Sequence, residues 1–146
     1  MFKKNPVLRK ENILLGLSSK SRDEAITQAG QLLIDSNYVT AEYIDAMFQR
    51  EEIVSTFIGN GVAIPHGVGK ARDLIKSSGI VVLQFPEGID YDGNLCYLVI
   101  GISGKNNEHI KILANIAEQL SDEDKAKALW NTTDKDFVYS IFVNGK

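Results

Sequence analysis

A histidine that follows a short apolar run is the residue of this chain best placed to do chemistry. Residues 59–67 read Gly-Asn-Gly-Val-Ala-Ile-Pro-His-Gly. The first glycines favour a turn, because glycine takes positive φ without steric cost, and residues 62–64 are typical of a short strand. Pro65 ends that strand, since proline donates no backbone N–H. We therefore predict that His66 leaves a rigid element at a reachable position, with Gly67 leaving room for another molecule beside the imidazole.

His109 is the other histidine of the chain. A lone histidine is most often a surface or satisfied core residue, and that reading stays open for both. The position of His109, however, is predicted in the first turn of a helix, after a loop that leaves an apolar strand. In open α/β sheets, sites form where strand ends and helix N-termini meet, and a helix N-terminus favours an anion. Both histidines could face one cleft.

Three kinds of site compete for these histidines. A metal centre is weakly indicated: there is no His-x-x-x-His or cysteine cluster, and no spacing that requires Asp90, Asp92 or Glu108 as ligands. A serine hydrolase lacks its Gly-x-Ser-x-Gly elbow, and a nucleotide enzyme lacks a Gly-rich phosphate loop. A neutral imidazole is itself a nucleophile near pH 7. A histidine that accepts and donates a phosphoryl group needs neither metal nor cofactor, and none is predicted.

Three other residues have a plain reading beside any functional one. Arg50 is most simply a solvated cation near a helix C-terminus, although its planar guanidinium could reach a phosphoryl group. Cys96, the only cysteine, lies inside an apolar run and is interpreted as an inert core residue. Trp130 is interpreted as core. A single cysteine forms no intrachain disulfide, which suits a reducing cytoplasm.

The composition is that of an ordinary globular domain. The chain has 146 residues, 44% hydrophobic and 24% charged, and we predict one domain spanning residues 1–146. A formal net charge of −3 implies no large basic surface for nucleic acid. No apolar run approaches the roughly 20 residues of a membrane span, and residues 1–6 lack the pattern of a secretory signal. We expect a cytoplasmic protein without direct membrane insertion.

The order of the predicted elements suggests a sheet between helices. Residues 1–12 are interpreted as a polar leader to a short strand at 13–17, followed by helices that begin at a Ser21–Glu24 capping box and near residue 40. Strands are predicted at 53–58, 62–64, 79–85 and 95–102, with a loop at 70–76, a turn at 86–88, a polar tip at 90–94 and a loop at 103–107. Three more helices are predicted to follow, and the first carries one apolar stripe formed by Ile110, Leu113, Ala114, Ala117 and Leu120.

Residues 59–67, with their Ile-Pro-His-Gly end, resemble the active-site signature of the enzyme IIA components of the bacterial sugar phosphotransferase system, in the mannitol/fructose branch. Arg50-Glu51 before the strand, Phe-Pro-Glu-Gly at 85–88 and Asn-Asn-Glu-His at 106–109 agree with that branch. The likeness runs from about residue 12 to residue 143, and the mannitol type fits best, chiefly through residues 106–109.

The resemblance implies one α/β domain, a single mixed β-sheet flanked by helices on both sides. It implies that His66 accepts a phosphoryl group from the histidine-containing phosphocarrier protein as a tele-phosphohistidine and passes it to a cysteine of the mannitol enzyme IIB. His109 and Arg50 would stabilise the phosphoryl group. The residue types alone do not specify the nitrogen. Val68 departs from many relatives, which carry a small hydroxyl residue there.

Two alternatives remain open at the level of the sequence. A regulatory relative would use the phosphohistidine as a signal and control other proteins by binding them. A fructose-specific protein would do the same chemistry for another sugar. The gene neighbourhood would separate these readings.

Overall fold

A five-stranded mixed sheet carries the fold in the computed structural model, which describes residues 6–67 and 69–144. The strands are β1 (Leu8–Leu14), β2 (Phe57–Gly59), β3 (Val62–Ala63), β4 (Gly79–Tyr91) and β5 (Asn94–Ser103). Their spatial order is β1-β4-β5-β3-β2. The pairs β1–β4 and β3–β5 are parallel, and β4–β5 and β2–β3 are antiparallel. This confirms the predicted fold class.

Helices cover both faces of the sheet. On one face lie α1 (Arg22–Asp35) and α2 (Tyr43–Ile53), and on the other α3 (Glu108–Leu120), α4 (Glu123–Asn131) and α5 (Lys135–Asn144). The side chains of β4 alternate between the two cores, as a pleated strand requires: Val81 and Leu83 face α1, whereas Ile80 and Val82 face the second layer. None of the helices in the described part of the chain is long and apolar enough to cross a membrane.

The helix starts follow their sequence signals. Ser21 accepts the N–H of Glu24 while the Glu24 carboxylate accepts the N–H of Ser21, so the predicted capping box is confirmed. Asp122 caps α4 by accepting from the N–H groups of Asp124 and Lys125. These caps satisfy amides that a helix leaves unpaired in its first turn.

Two predicted strand boundaries are wrong. Strand β1 begins at Leu8, inside the stretch interpreted as a leader, because Leu8 is buried and pairs with Ile80. The strand predicted at 53–58 is only β2, since α2 continues to Ile53 and leaves Ile53 and Val54 exposed. The chain uses residues 54–56 to turn from a helix to the edge of the sheet, which overrides their β-branched preference.

The predicted turn at 86–88 lies inside β4. A register shift between Gln84 and Ile89 lets the strand pass Pro86 and Gly88 without breaking its pairing to β5. Proline is tolerated at such a bulge because the local ladder bonds are already interrupted. The reversal occurs at Asp92-Gly93, where both residues have positive φ (54° and 87°), in the middle of the predicted polar tip.

The predicted loops are partly helical. Residues of the 70–76 loop form a 3₁₀ turn, Gly69–Leu74, and a second one, Lys105–Asn107, leads into α3. Both 3₁₀ turns lie at the end of the sheet where β3 and β5 finish.

Candidate functional site

The end of β3 and the end of β5 lie side by side. His66 forms a parallel bridge with Ile102, and the N–H of Ile102 donates to the Pro65 carbonyl at 3.1 Å. Because the two strands are parallel, the loops that follow them leave at the same edge. This arrangement joins the predicted His66 position to the loop that precedes α3.

His66 is held by its own backbone neighbour. Its ring Nδ1 lies 2.7 Å from the Ile64 carbonyl oxygen, and 9% of the residue is exposed. A carbonyl oxygen only accepts, so the proton of this hydrogen bond belongs to Nδ1. In the neutral ring the lone pair is then on Nε2. The geometry thus places the ring proton on Nδ1 and the lone pair on Nε2, a choice that the residue types left open.

Tyr43 fixes the backbone on both sides of the imidazole. Its hydroxyl accepts the N–H of Gly67 at 2.9 Å and donates to the Ile102 carbonyl at 2.8 Å. Burial raises the pKa of Tyr43 to about 12, although the Gly67 N–H opposes part of that shift. The sequence analysis did not single out Tyr43, because no local signal distinguishes a core tyrosine from one that joins two strand ends by hydrogen bonds.

Gly67 is required for packing inside the protein. A Cβ built on it would lie 2.9 Å from Cε1 of Tyr43 and 3.0 Å from Cβ of Ala71. Gly67 also lines the cleft, and its predicted role of leaving room for a second molecule stays a prediction. The missing side chain lets Tyr43 approach the histidine turn.

The loop before α3 has an unusual backbone that two asparagines accommodate. Asn106 (φ 56°) and Asn107 (φ 67°) are both left-handed, a conformation that asparagine tolerates better than most residues. Ser78 anchors the loop, accepting the N–H of Lys105 and donating to the Glu108 carboxylate. Asn107, the N-cap residue of α3, makes no side-chain capping hydrogen bond within the described part of the chain. The first amides of α3 and the helix dipole therefore offer a place for an anion.

The backbone of His109 lies in the first turn of α3, as predicted. The position of its side chain lies outside what the structure describes, as does Val68. The predicted contact of the His109 imidazole with a phosphoryl group therefore stays a prediction.

A cleft of about 790 Å³ opens in front of His66. Its lining is mostly polar: Tyr43, His66, Gly67, Arg72, Asp73, Ile75, Gly104, Lys105, Asn106 and Asn107. The cations of Arg72 and Lys105 are both exposed there, and the Lys105 ammonium also donates to the Lys76 carbonyl at 3.1 Å. The sequence predicted residues 70–76 only as a loop. Arg72 reaches the cleft from the 3₁₀ turn Gly69–Leu74.

Arg50 lies elsewhere in this structure. Its Nη1 donates to the Val54 carbonyl at 2.7 Å, which closes the last turn of α2, and Arg50 is absent from the described lining of the cleft. This contact corresponds to the plain reading of a cation at a helix C-terminus. A role for Arg50 towards a phosphoryl group stays a prediction.

The remaining candidate groups are inert by position. Cys96 is fully buried, its thiol donates to the Leu98 carbonyl at 3.2 Å, and burial raises the pKa of Cys96 to about 12. A thiol with such a pKa is not a nucleophile at neutral pH. Within residues 6–67 and 69–144, no three His, Cys, Asp or Glu side chains are grouped as metal ligands would be.

Comparison with known proteins points to one family. The family model described as "Phosphoenolpyruvate-dependent sugar phosphotransferase system, EIIA 2" matches residues 6–145. The chain is 49% identical over 137 residues to the mannitol-specific phosphotransferase enzyme IIA component of Bacillus subtilis, covering 93% of this chain and 96% of that protein.

Solved structures agree with the sequence relatives. A chain of the solution complex of enzyme IIAMTL and phosphorylated enzyme IIBMTL from Escherichia coli is 37% identical, with a TM-score of 0.85 over 92% of this chain and 95% of that one. The nitrogen regulatory protein IIA-Ntr from Neisseria meningitidis is 25% identical, with a TM-score of 0.81 over 95% of this chain and 98% of that one.

Proposed function

Because the chain belongs to the EIIA 2 family of the phosphoenolpyruvate-dependent sugar phosphotransferase system, we propose that His66 is its phosphoryl-accepting residue. The observation that carries the proposal is the hydrogen bond from Nδ1 to the Ile64 carbonyl, which leaves the lone pair of the neutral ring on Nε2. The product is then a tele-phosphohistidine, phosphorylated at Nε2.

The proposed donor is the phosphohistidine of the histidine-containing phosphocarrier protein. The Nε2 lone pair of His66 attacks phosphorus, a new N–P bond forms, and the N–P bond of the donor breaks with its electron pair returning to the donor imidazole. The phosphorylated His66 ring gains positive character, and the Ile64 carbonyl stabilises it through the Nδ1 proton. In the second step a cysteine thiolate of the acceptor attacks the same phosphorus, and His66 leaves as a neutral imidazole.

The surroundings of His66 suit the charge of the group that moves. Phosphoryl transfer depends mostly on positioning and electrostatics. Arg72 and Lys105 line the cleft, and so does Asn107, the residue that directly precedes α3. We assign His109 to the same task, because its backbone starts that helix, and retain Arg50 as a proposed second contact that requires its side chain to leave Val54.

The proposed sugar is mannitol. The support is the 49% identity to the mannitol-specific component of Bacillus subtilis and the likeness to the IIA chain of a mannitol IIA–IIB complex. The acceptor is then the mannitol enzyme IIB, and the IIC part takes up mannitol and releases mannitol 1-phosphate inside the cell. We propose that residues 1–146 form a single IIA domain that works in the cytoplasm, where both protein partners carry their phosphoryl groups.

A regulatory function is the second candidate, supported by the fold shared with the nitrogen regulatory protein at 25% identity. The identity to a mannitol component is about twice as high, which favours transport. Finding genes for a mannitol permease and a mannitol 1-phosphate dehydrogenase next to this one would favour mannitol over both regulation and fructose. Gene neighbours of a fructose permease would overturn the choice of sugar.

The decisive experiment is phosphorylation by purified partners. The protein is incubated with phosphoenolpyruvate, enzyme I and the carrier protein, and acid-labile phosphate is measured. We expect the wild type and His109→Ala to be labelled and His66→Ala to remain unlabelled. Normal labelling of His66→Ala would refute the assignment.

A further inference from the structure

We propose that Glu51 and Thr56 are positioning residues for His66, which hold its imidazole in the Nδ1-protonated form through the Ile64 backbone. The inference rests on the proposed role of His66. It concerns residues that do not line the cleft and that phosphoryl transfer, as described above, does not use.

The first link is a buried carboxylate. Glu51 is 4% exposed, and its two oxygens accept the Thr56 N–H at 2.7 Å and the Thr56 hydroxyl at 2.9 Å and 3.2 Å. The Thr56 oxygen lies 3.1 Å from the Tyr91 hydroxyl. Since the Thr56 proton is given to the carboxylate, Tyr91 is the donor in that contact. Thr56 is therefore held at its amide, its hydroxyl proton and its hydroxyl oxygen.

The second link joins Thr56 to the histidine. The Thr56 carbonyl accepts the N–H of Ile64 at 3.0 Å, one residue beyond the end of β3. The Ile64 carbonyl then accepts the Nδ1 proton of His66 at 2.7 Å. Pro65 follows directly and has no N–H with which to anchor this segment to a neighbour. The position of the Ile64 carbonyl thus depends on the hydrogen bond from its own N–H to Thr56.

Burial of the Glu51 carboxylate has a large desolvation cost for a group that only fixes a loop. Burying a carboxylate costs several kcal/mol unless hydrogen bonds compensate. Apolar side chains in place of Glu51 could pack α2 onto the sheet at a lower desolvation cost. They could not, however, fix the orientation of Thr56 through hydrogen bonds. Such a hold matters at a nucleophile, because small misplacements slow a reaction about a hundredfold in unfavourable cases.

The test compares the imidazole and the transfer rate in the same variants. Thr56→Val removes the hydroxyl and keeps the shape, Thr56→Ser restores the hydroxyl, and Glu51→Gln replaces one acceptor by a donor. Ser36→Ala is the matched control, because it removes the partner of buried Asn12. Long-range ¹H–¹⁵N NMR reports which nitrogen of neutral His66 carries the proton, and labelling by the carrier protein reports the rate.

We expect the wild type, Thr56→Ser and Ser36→Ala to show the Nδ1-protonated ring. Thr56→Val and Glu51→Gln should show a mixture of both tautomers and be labelled about tenfold more slowly. If Thr56→Val is less stable but keeps the wild-type tautomer and labelling rate, the proposal is wrong and Glu51 and Thr56 have only a structural role. If Thr56→Val does not fold, the Glu51→Gln comparison decides. The NMR reading needs no phosphoryl transfer, so failure of the wild type to be labelled would refute the proposed function alone.

Discussion

At the scale of single residues, the candidate site separates the proposed nucleophile, His66, from the groups that surround it. His66 is held by a backbone carbonyl, whereas the positive groups come from other elements: the start of α3, Lys105 and Arg72. Removing one surrounding group therefore leaves the nucleophile and its tautomer in place. This separation makes the roles of the two histidines distinguishable in solution.

The variant His109→Ala should fold, be labelled on His66 and pass its phosphoryl group to enzyme IIB slowly. Losing one donor at a transition state commonly costs about 3 kcal/mol, or on the order of a hundredfold in rate. Rapid-quench kinetics with the IIB partner measures this step. Wild-type rates in both directions would return His109 to the plain reading of a surface residue near a helix end.

Tyr43→Phe should lower stability at neutral pH by about 1–2 kcal/mol, since two buried hydrogen bonds are lost. Folding raises the pKa of Tyr43 from 10 to about 12, so the neutral phenol is favoured in the folded state. The stability it contributes is present below pH 10 and is lost as the pH rises towards 12. Urea unfolding should show the gap between wild type and variant narrowing across that window.

Tyr91 and Cys96 also have raised pKa values, but both titrate equally in wild type and variant and cancel in the comparison. If the difference in free energy of unfolding between wild type and Tyr43→Phe stays constant up to about pH 12, then burial does not raise the pKa of Tyr43 as the structure indicates.

At the scale of elements, α3 shows why a helix face is harder to predict than the helix itself. The spacing placed Ile110, Leu113, Ala114, Ala117 and Leu120 on one stripe, but three of them, Ile110, Ala114 and Ala117, are exposed. The buried face centres on Ile116 and Leu120, with Ile112 and Leu113 packed beside them. The helix has apolar residues for two overlapping stripes, and only packing against the sheet selects one.

The strands and the histidine turn were more predictable, because their signals are local. Glycines, Pro65 and the apolar run specify the β2–β3 hairpin and the place of His66 without long-range information. The contacts of Tyr43, Glu51 and Arg72 join residues far apart in the chain or in different elements. No spacing rule in one sequence reports such contacts.

Gly61→Ala should destabilise the β2–β3 hairpin more than Gly59→Ala does. Both glycines have positive φ, 72° at Gly61 and 93° at Gly59, and a side chain in that region costs about 1–2 kcal/mol. Only at Gly61 would the new Cβ meet other atoms, Trp130 and Tyr97 each at 2.8 Å, whereas Gly59 has nothing within 4 Å. The rings of Tyr97 and Trp130 are stacked at 4.4 Å, which leaves little freedom to move aside.

The free energies of unfolding in urea should therefore differ by about 1–3 kcal/mol between the two variants. Equal free energies of unfolding for the two variants would show that the rings of Tyr97 and Trp130 move aside without an energetic cost.

At the scale of the whole molecule, α3 begins directly after Asn107, which lines the cleft, and its first turn carries an exposed apolar side chain. Ile110 is 60% exposed one residue after His109. In the proposed function two proteins approach the same imidazole in turn, so their contacts on this surface should overlap. Relay encounters of this kind are expected to be small and weak.

Ile110→Asp should weaken binding of both the carrier protein and enzyme IIB, each by about tenfold, or roughly 1.4 kcal/mol. Leu95→Asp is the control: Leu95 is 56% exposed, but it lies at the opposite end of β5 from Gly104. NMR titrations with each partner measure both affinity and footprint. Two separate footprints, or equal losses in both variants, would contradict a shared surface around the cleft.

The sheet has two edge strands, β1 and β2, and each has features that hinder the pairing of a further strand. One edge is β2, only three residues long. The other is β1, where Arg9, Lys10 and Glu11 stand in the middle of the strand and Lys10 pairs with Asp136 at 2.9 Å. Short and charged edges discourage strands of other molecules from extending a sheet into an aggregate. An exposed apolar side chain such as Ile110 can thus serve the proposed protein contacts while the short and charged edges of the sheet oppose the addition of strands.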